Sequence, residues 1–434
     1  MHEGSSVNRF RLPSILVLLI MGAASAIAPP TFSRDRGEAL AIVGAKAYPT
    51  PSGDAIENSA VLVVNGKIEE IGERHSVRLP RNARVIDATG LTLVAGFWNS
   101  HVHFTGPQWQ DAAHQPAARL TTELQRMVSG YGFTTVFDIA SILANTSAIR
   151  KRVEAGEVLG PRIYTTGEPI FPDDGVPIYV KSNISDDLYD FLRHNAEADN
   201  PDRAVEFVDR RISGGADAIK IFAGSWLGGD KTVDMPLEIL KAATSEAHRK
   251  GKLVFAHPQT QGGLENAVSC GVDILAHTAP GMGVWDPALL ARMKLNGISL
   301  IPTLKLWHVE ARRAGASPEN TENFIGAGVE QLRAFRSNGG RVLFGTDLGY
   351  IDDYDTAEEF ELMARAGMGF REILASLTTA PVGRLGESRH HGRVAPGLDA
   401  DMVLLEGDPA VDVKAFSHVK YTFRSGKIIF QKPY

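Results

Sequence analysis

Cysteine is almost missing from this chain: Cys270 is the only one in 434 residues, which excludes an intramolecular disulfide. Stability must then come from a packed core or a bound metal. Cys270 closes a helical stretch, Leu264 to Gly271, with no base or second thiol beside it, and reads as a structural thiol. Runs of Lys or Arg are also missing. With 45 basic and 51 acidic residues the formal net charge is −6, which argues against a nucleic-acid surface and for a small-molecule partner. No glycine-rich phosphate loop of the G-x-G-x-x-G kind opens a helix after a strand, so nothing marks a dinucleotide site. Beyond the N-terminal segment no stretch approaches about 18 apolar residues, so no span is expected after processing and the mature chain should be soluble.

The N-terminus carries the one apolar run. Arg9 and Arg11 precede Leu12 to Ile20, followed by Gly22-Ala23-Ala24-Ser25-Ala26-Ile27-Ala28. A basic region, an apolar region and an A-x-A site describe a signal peptide over residues 1–28, cut after Ala26 or Ala28, and hence export to the periplasm or medium. The rival is an uncleaved anchor helix, for which the run is short and interrupted by Pro13 and Gly22.

Both ends of the remaining chain read as β. Val61-Leu62-Val63-Val64 and Lys67-Ile68-Glu69-Glu70-Ile71 flank Asn65-Gly66, a hairpin signal. Asp401 to Leu405, Val419 to Phe423 and Lys427 to Phe430 follow the same pattern, with Ser425-Gly426 as a turn. We therefore expect residues 38–94 and 393–432 to form one composite β-sandwich domain. Between them, residues 95–392 alternate short apolar runs with helical stretches at roughly 30 to 40 residue spacing, the βα rhythm of a parallel sheet. Candidate strands end near Ala95, Asp138, Thr165, Lys220, His257, His277, Thr303 and Asp347, and eight of them point to an α/β fold of the (β/α)8 TIM barrel type.

A barrel carries its chemistry at the C-terminal ends of its strands. In Gly96-Phe97-Trp98-Asn99-Ser100-His101-Val102-His103 the two histidines stand at i and i+2, so on an extended chain both imidazoles can face one ion. Lys220, His257, His277 and Asp347 end four other candidate strands. Each has a plain structural reading as a surface lysine, a core histidine or a helix cap. Together they form a convergent set of metal ligands.

These motifs, together with Gly132-Phe133-Thr134-Thr135-Val136, Gly215 to Lys220, Val272 to His277, Gly345-Thr346-Asp347 and Gly392 to Asp401, resemble the amidohydrolase superfamily. The likeness is to the imidazolonepropionase-related branch with its metal-dependent Xaa-Pro dipeptidases. The resemblance implies two divalent metal ions, zinc being expected. His101, His103 and Asp347 would hold one, and His257 and His277 the other. Lys220 would be carboxylated to N6-carboxylysine, because an ammonium repels dications whereas a carbamate can bridge them about 3.5 to 4 Å apart. A bridging hydroxide would attack the carbonyl of a small amide, with Asp347 as general base and then acid. A dipeptide, an N-acyl amino acid or an aromatic amino-acid conjugate would be the substrate. Where the family usually has Asp two residues before the first histidine, this chain has Asn99, whose amide oxygen can still accept from the His101 imidazole.

A mononuclear lactam hydrolase or deaminase is the rival enzyme, and a non-catalytic exported metal-binding protein the rival from another class. Substrate contacts are expected from strand-end loops, with His114, His308, Trp226 and Tyr350 as candidates and Lys231 or Lys305 for a carboxylate. A lid or an oligomer contact stays open for the insertion at 171–199, and so does a homo-oligomer.

Overall fold

The structure, a computed structural model, describes residues 39–182 and 184–433. The expected signal segment lies outside them. Among the described residues no helix is long and apolar enough to cross a membrane.

The middle of the chain builds parallel strands joined by helices. One sheet holds β1 (Phe97–Val102), β2 (Phe133–Asp138) and β3 (Arg162–Thr165) in that order. A second holds β4 (Ile219–Gly228), β5 (Val254–Pro258), β6 (Ile274–Ala276), β7 (Ser299–Ile301) and β8 (Arg341–Val342), with the short strand Lys231–Asp234 on the outer edge of β4. The sheet edges meet through backbone hydrogen bonds. Beyond β3 the Ile170 N–H donates to Lys220 O at 2.8 Å, and the Phe222 N–H donates back to Ile170 O at 2.8 Å. On the other side the Ser100 N–H donates to Phe344 O at 2.8 Å and the His103 N–H to Leu348 O at 2.7 Å, so the first strand lies beside the last.

The helices follow from local signals. In Pro201–Ser213, Asn200 accepts from the Arg203 N–H as N-cap and Pro201 takes the first turn, where its missing N–H costs nothing. Its buried residues Ala204, Phe207, Val208 and Arg211 fall at i, i+3, i+4 and i+7, one face, and the first three join the main apolar core. Burying Phe207 or Val208 contributes about 1.5–3 kcal/mol each.

The chain ends form two further sheets. Lys67–Glu73, Ser59–Val64, Ala39–Val43 and Arg84–Asp87 make one, in that order. Lys46–Tyr48, Leu91–Ala95, Met402–Glu406, Val419–Arg424 and Lys427–Gln431 make the other. Both contribute to one apolar cluster, in which Ile42 and Val63 meet Leu93, Leu404 and Phe423. Asn65 and Gly66, at φ 53° and 76°, make the expected tight turn, as do Ser425 and Gly426 at 47° and 74°.

Two strand boundaries differ from the sequence reading. Leu91–Ala95 is not the strand that carries the histidines, for it pairs with Met402–Glu406 in a terminal sheet, and the histidines belong to β1. The chain changes sheets at Gly96, where a Cβ would lie 2.3 Å from Thr134 Oγ1. Lys220 begins rather than ends its strand, because β4 runs on past it to Gly228 and turns back through Lys231–Asp234.

Candidate metal centre

The period-two spacing on β1 does what it predicts. His101, one residue before the end of β1, and His103, one after it, bring their Nε2 atoms to 3.1 Å of each other. Asp347 Oδ1 lies 3.1 Å from the first and 2.7 Å from the second. These three atoms form a candidate metal-ligating group, and all three residues are buried. With metal–ligand bonds of about 2.0–2.2 Å, neighbouring ligand atoms stand roughly 3 Å apart. Asp347 Oδ1 has no hydrogen-bond partner of acceptable geometry although two ring nitrogens are this near. A buried oxygen left in that state fits a cation at the meeting point of the three.

The backbone is strained where these residues sit. His277, Thr303 and Asp347 adopt φ of 85°, 44° and 63°, the left-handed region that non-glycine residues avoid. Gly349, at φ 99°, allows the loop after β8 to close on β1, since a Cβ there would lie 1.9 Å from His103 O. Asn99 ties the same two strands, its Nδ2 donating to Thr346 Oγ1 at 2.7 Å and its Oδ1 accepting from the His101 backbone N–H at 3.1 Å. The amide thus orients the His101 backbone, and His101 Nδ1 has no hydrogen-bond partner.

The other expected ligands adjoin this group. The His277 ring centroid is 4.6 Å from that of His101 and 4.8 Å from that of His257. His277 Nδ1 is fixed by Thr303 Oγ1 at 2.7 Å. Lys220 is 2 % exposed, and burial lowers its ammonium from 10.5 to about 7, with Asp347 opposing the fall only in part. Burial likewise holds His101 at about 4 and His257 at about 3, so both imidazoles are neutral at neutral pH, the form a metal ligand requires. Burial opposes the charge on Asp347 too, but His101 and His103 beside it more than offset this and keep it well below the usual carboxylate range.

Several contacts at the centre carry no local signal in the sequence. Tyr179, on the short helix Ile178–Lys181 of the insertion, places its hydroxyl 3.3 Å from His257 Nε2 and donates to Gln259 Oε1 at 3.2 Å. Beside His257 and His277 lies a cavity of about 120 Å³, lined by Met282, Trp307 and Phe324 among others, with no Asp, Glu, Lys or Arg in its wall. Asp138 at the end of β2 accepts from Ser141 Oγ at 2.5 Å and Thr146 Oγ1 at 2.7 Å, and Ser141 Oγ in turn accepts from the Phe104 N–H beside His103.

The expected substrate residues are scattered. His114 is on the surface, its side chain 81 % exposed and paired with Asp111 at 2.6 Å. His308 pairs with Glu358 at 2.5 Å and lines a separate cavity with Arg312 and Ile325. Trp226 is exposed, its indole N–H donating to Gly229 O in the β4 hairpin. Lys231 is exposed in the same hairpin, and Lys305 is buried against Asp353 and Asp355. Tyr350 alone approaches the centre, its ring 5.5 Å from that of Tyr179 and its hydroxyl on Glu310.

Residues 92–429 match the model of the amidohydrolase family, a span that includes β1 to β8 and every residue of the centre. The chain belongs to the amidohydrolase family. Ochratoxinase from Aspergillus niger is 23 % identical over 411 residues, 87 % of this chain and 84 % of the relative. A solved Xaa-Pro dipeptidase with bound methionine superposes with a TM-score of 0.77 at 21 % identity, over 91 % of this chain and 100 % of that one. A prolidase solved with N-methylphosphonate-L-proline gives 0.73 at 25 % identity, over 91 % and 100 %. This amidohydrolase is accordingly a hydrolase of carbon–nitrogen bonds.

Proposed function

We propose that this amidohydrolase is a binuclear metal enzyme that cleaves a small amide, with the centre at the open end of a (β/α)8 barrel. The hydrogen bonds linking β3 to β4 and β8 to β1 support a closed barrel over residues 95–392, and the shared apolar cluster of the terminal sheets supports a β-sandwich from 38–94 and 393–432. The observation that carries the reading is the convergence of His101 Nε2, His103 Nε2 and Asp347 Oδ1, with the His277 ring against those of His101 and His257 and the buried Lys220 under the electrostatic influence of Asp347.

His101, His103 and Asp347 would hold one ion and His257 and His277 the other. Bound there, divalent ions such as Zn²⁺ supply Lewis acidity for a carbonyl and a water acidified to about pKa 7. Lys220, held at about 7 by burial, is substantially a free amine at neutral pH. Its Nζ can bond the carbon of CO2, release one proton to water and become the carbamate of N6-carboxylysine, an anion suited to lie between two dications. Asp347 stays ionised, accepts the proton of the attacking water and delivers it to the leaving nitrogen.

The cavity beside His257 and His277, with Met282, Trp307 and Phe324 in its wall and no charged side chain, supports an apolar or aromatic group on the substrate. With relatives named ochratoxinase and Xaa-Pro dipeptidase, this favours a dipeptide, an N-acyl amino acid or an aromatic amino-acid conjugate. Tyr350 remains in the proposed site. His114, His308 and Trp226 do not, given their surface partners. Export through the N-terminal segment belongs to the same proposal.

A mononuclear lactam hydrolase or deaminase draws on one observation: of the barrel ligands only His101, His103 and Asp347 form a group of three His or carboxylate atoms. Mass-spectrometric metal counting alongside a panel of N-acyl amino acids and dipeptides separates the readings. We expect two ions per chain, with hydrolysis abolished by chelation and restored by Zn²⁺. One ion at full activity selects the mononuclear enzyme, and a fully loaded protein inert to every amide selects a metal-binding role.

A further inference from the structure

The His277 ring lies between those of His101 and His257, its centroid 4.6 Å and 4.8 Å from theirs. A neutral imidazole carries one proton, and only its other nitrogen has a lone pair for an ion, so the hydrogen bond that fixes the proton decides which nitrogen can serve. The ring makes one hydrogen bond among the described residues, between Nδ1 and Thr303 Oγ1 at 2.7 Å. A threonine hydroxyl has a single proton, and that of Thr303 goes to the Pro302 carbonyl at 2.9 Å. Towards His277 the oxygen therefore presents a lone pair and accepts from Nδ1–H. The opposite tautomer would put the proton on Nε2, which bonds no acceptor among the described residues although His277 is buried.

The surroundings hold this arrangement. The Trp307 indole N–H, a donor only, reaches Thr278 Oγ1 at 2.8 Å, and the Thr278 hydroxyl donates on to Pro302 O at 3.3 Å, so two hydroxyl protons end on the same carbonyl. Glu359 accepts from the Leu304 and Lys305 N–H groups that follow Thr303, which fixes where the Thr303 hydroxyl stands. Both partners of the bond sit on strained backbone, Thr303 at φ 44° and His277 at 85°. We infer that Thr303 is a positioning residue: by accepting from Nδ1–H it keeps His277 in the tautomer whose Nε2 lone pair is free for an ion. The inference rests on His277 being a ligand in the binuclear hydrolase proposed above.

Two measurements on the full chain test this. The first is the two-bond ¹H–¹⁵N spectrum of the metal-free protein labelled with ¹⁵N-histidine, the His277 signals being those that disappear in His277→Gln. We expect the parent to carry the proton on Nδ1, and Thr303→Val, of similar shape but without the acceptor, to lose that preference. The second is competition for Zn²⁺ against a chelator. Thr303→Val should bind one of two ions about 10–100-fold more weakly and the other as the parent does, while Thr303→Ser, which keeps the hydroxyl, should match the parent in both measurements. A proton on Nε2 in the parent overturns the inference without recourse to any variant. Parent tautomer and parent affinity in Thr303→Val overturn it as well, and if its melting temperature alone falls, Thr303 is a packing residue. One ion per parent chain overturns the binuclear reading, and the tautomer, read without metal, then upholds or overturns the role of Thr303 separately.

Discussion

Two buried groups in this molecule are made of the same residue types and are wired in opposite ways. Arg162, at the start of β3, lies 3.1 Å from Asp401 and 3.6 Å from Asp399, and His391 lies 3.3 Å and 3.5 Å from the same carboxylates. Asp401 also accepts from the Ser425 N–H at 2.7 Å, and His391 and Arg162 hold it below its ordinary value against the opposing effect of burial. Both carboxylates there face the Arg162 guanidinium. At the candidate metal centre, by contrast, His101 Nε2 and His103 Nε2 lie 3.1 Å and 2.7 Å from Asp347 Oδ1, and Lys220 has no carboxylate within ion-pair reach among the described residues. Positive φ occurs at His277 and Asp347 and at none of Arg162, His391, Asp399 and Asp401. Burial alone therefore does not mark a site. Convergence of ligand atoms on a strained backbone is what sets the candidate site apart from the ion cluster.

The largest test of this contrast is Asp347→Asn. It should lower kcat by about 10²–10⁴ and leave the circular dichroism spectrum unchanged. Activity at the parent level would remove Asp347 from the proton transfer. A paired test follows. Arg162→Met strips a matched cluster of its cation and should cost about 3–5 kcal/mol in urea unfolding. Lys220→Met removes an uncompensated buried amine and should stabilise the metal-free protein by roughly 1–4 kcal/mol while lowering its metal content. Destabilisation by both variants would erase the distinction between the two clusters.

Glu359 gives a smaller effect and a pH dependence. Its carboxylate accepts from the Leu304 and Lys305 N–H groups at the start of the helix that carries Trp307, and burial raises it from 4.5 to about 7. Between these values the unfolded chain has lost the proton and the folded chain retains it, so this residue makes stability fall as pH rises from 4.5 to about 7. Glu359→Gln should flatten that slope in a series of thermal melts and cost about 1–3 kcal/mol where an amide is left unpaired. Least affected should be His114→Ala, within about 0.5 kcal/mol of parent stability and with kcat/KM near parent. A large loss of kcat/KM would bring His114 back to the substrate.

The repeating apolar runs, the tight turns and the six expected ligand positions could be read locally. Each depends on a short stretch: His101-x-His103 on the two-residue period of a strand, Lys220, His257, His277 and Asp347 on apolar runs beside them. The amino-acid sequence by itself therefore determined the βα order, the β-rich ends and which side chains could serve a metal. Only the tertiary structure decided that Leu91–Ala95 and β1 part at Gly96, that β4 runs past Lys220, and that His114 faces solvent. It also brought Tyr179, 78 positions from His257 along the chain, to hydrogen-bonding distance of it. The reason is that periodicity reports which face a residue takes on its own element. Contacts between elements depend on how loops and packed faces meet, and no single stretch of sequence contains that information.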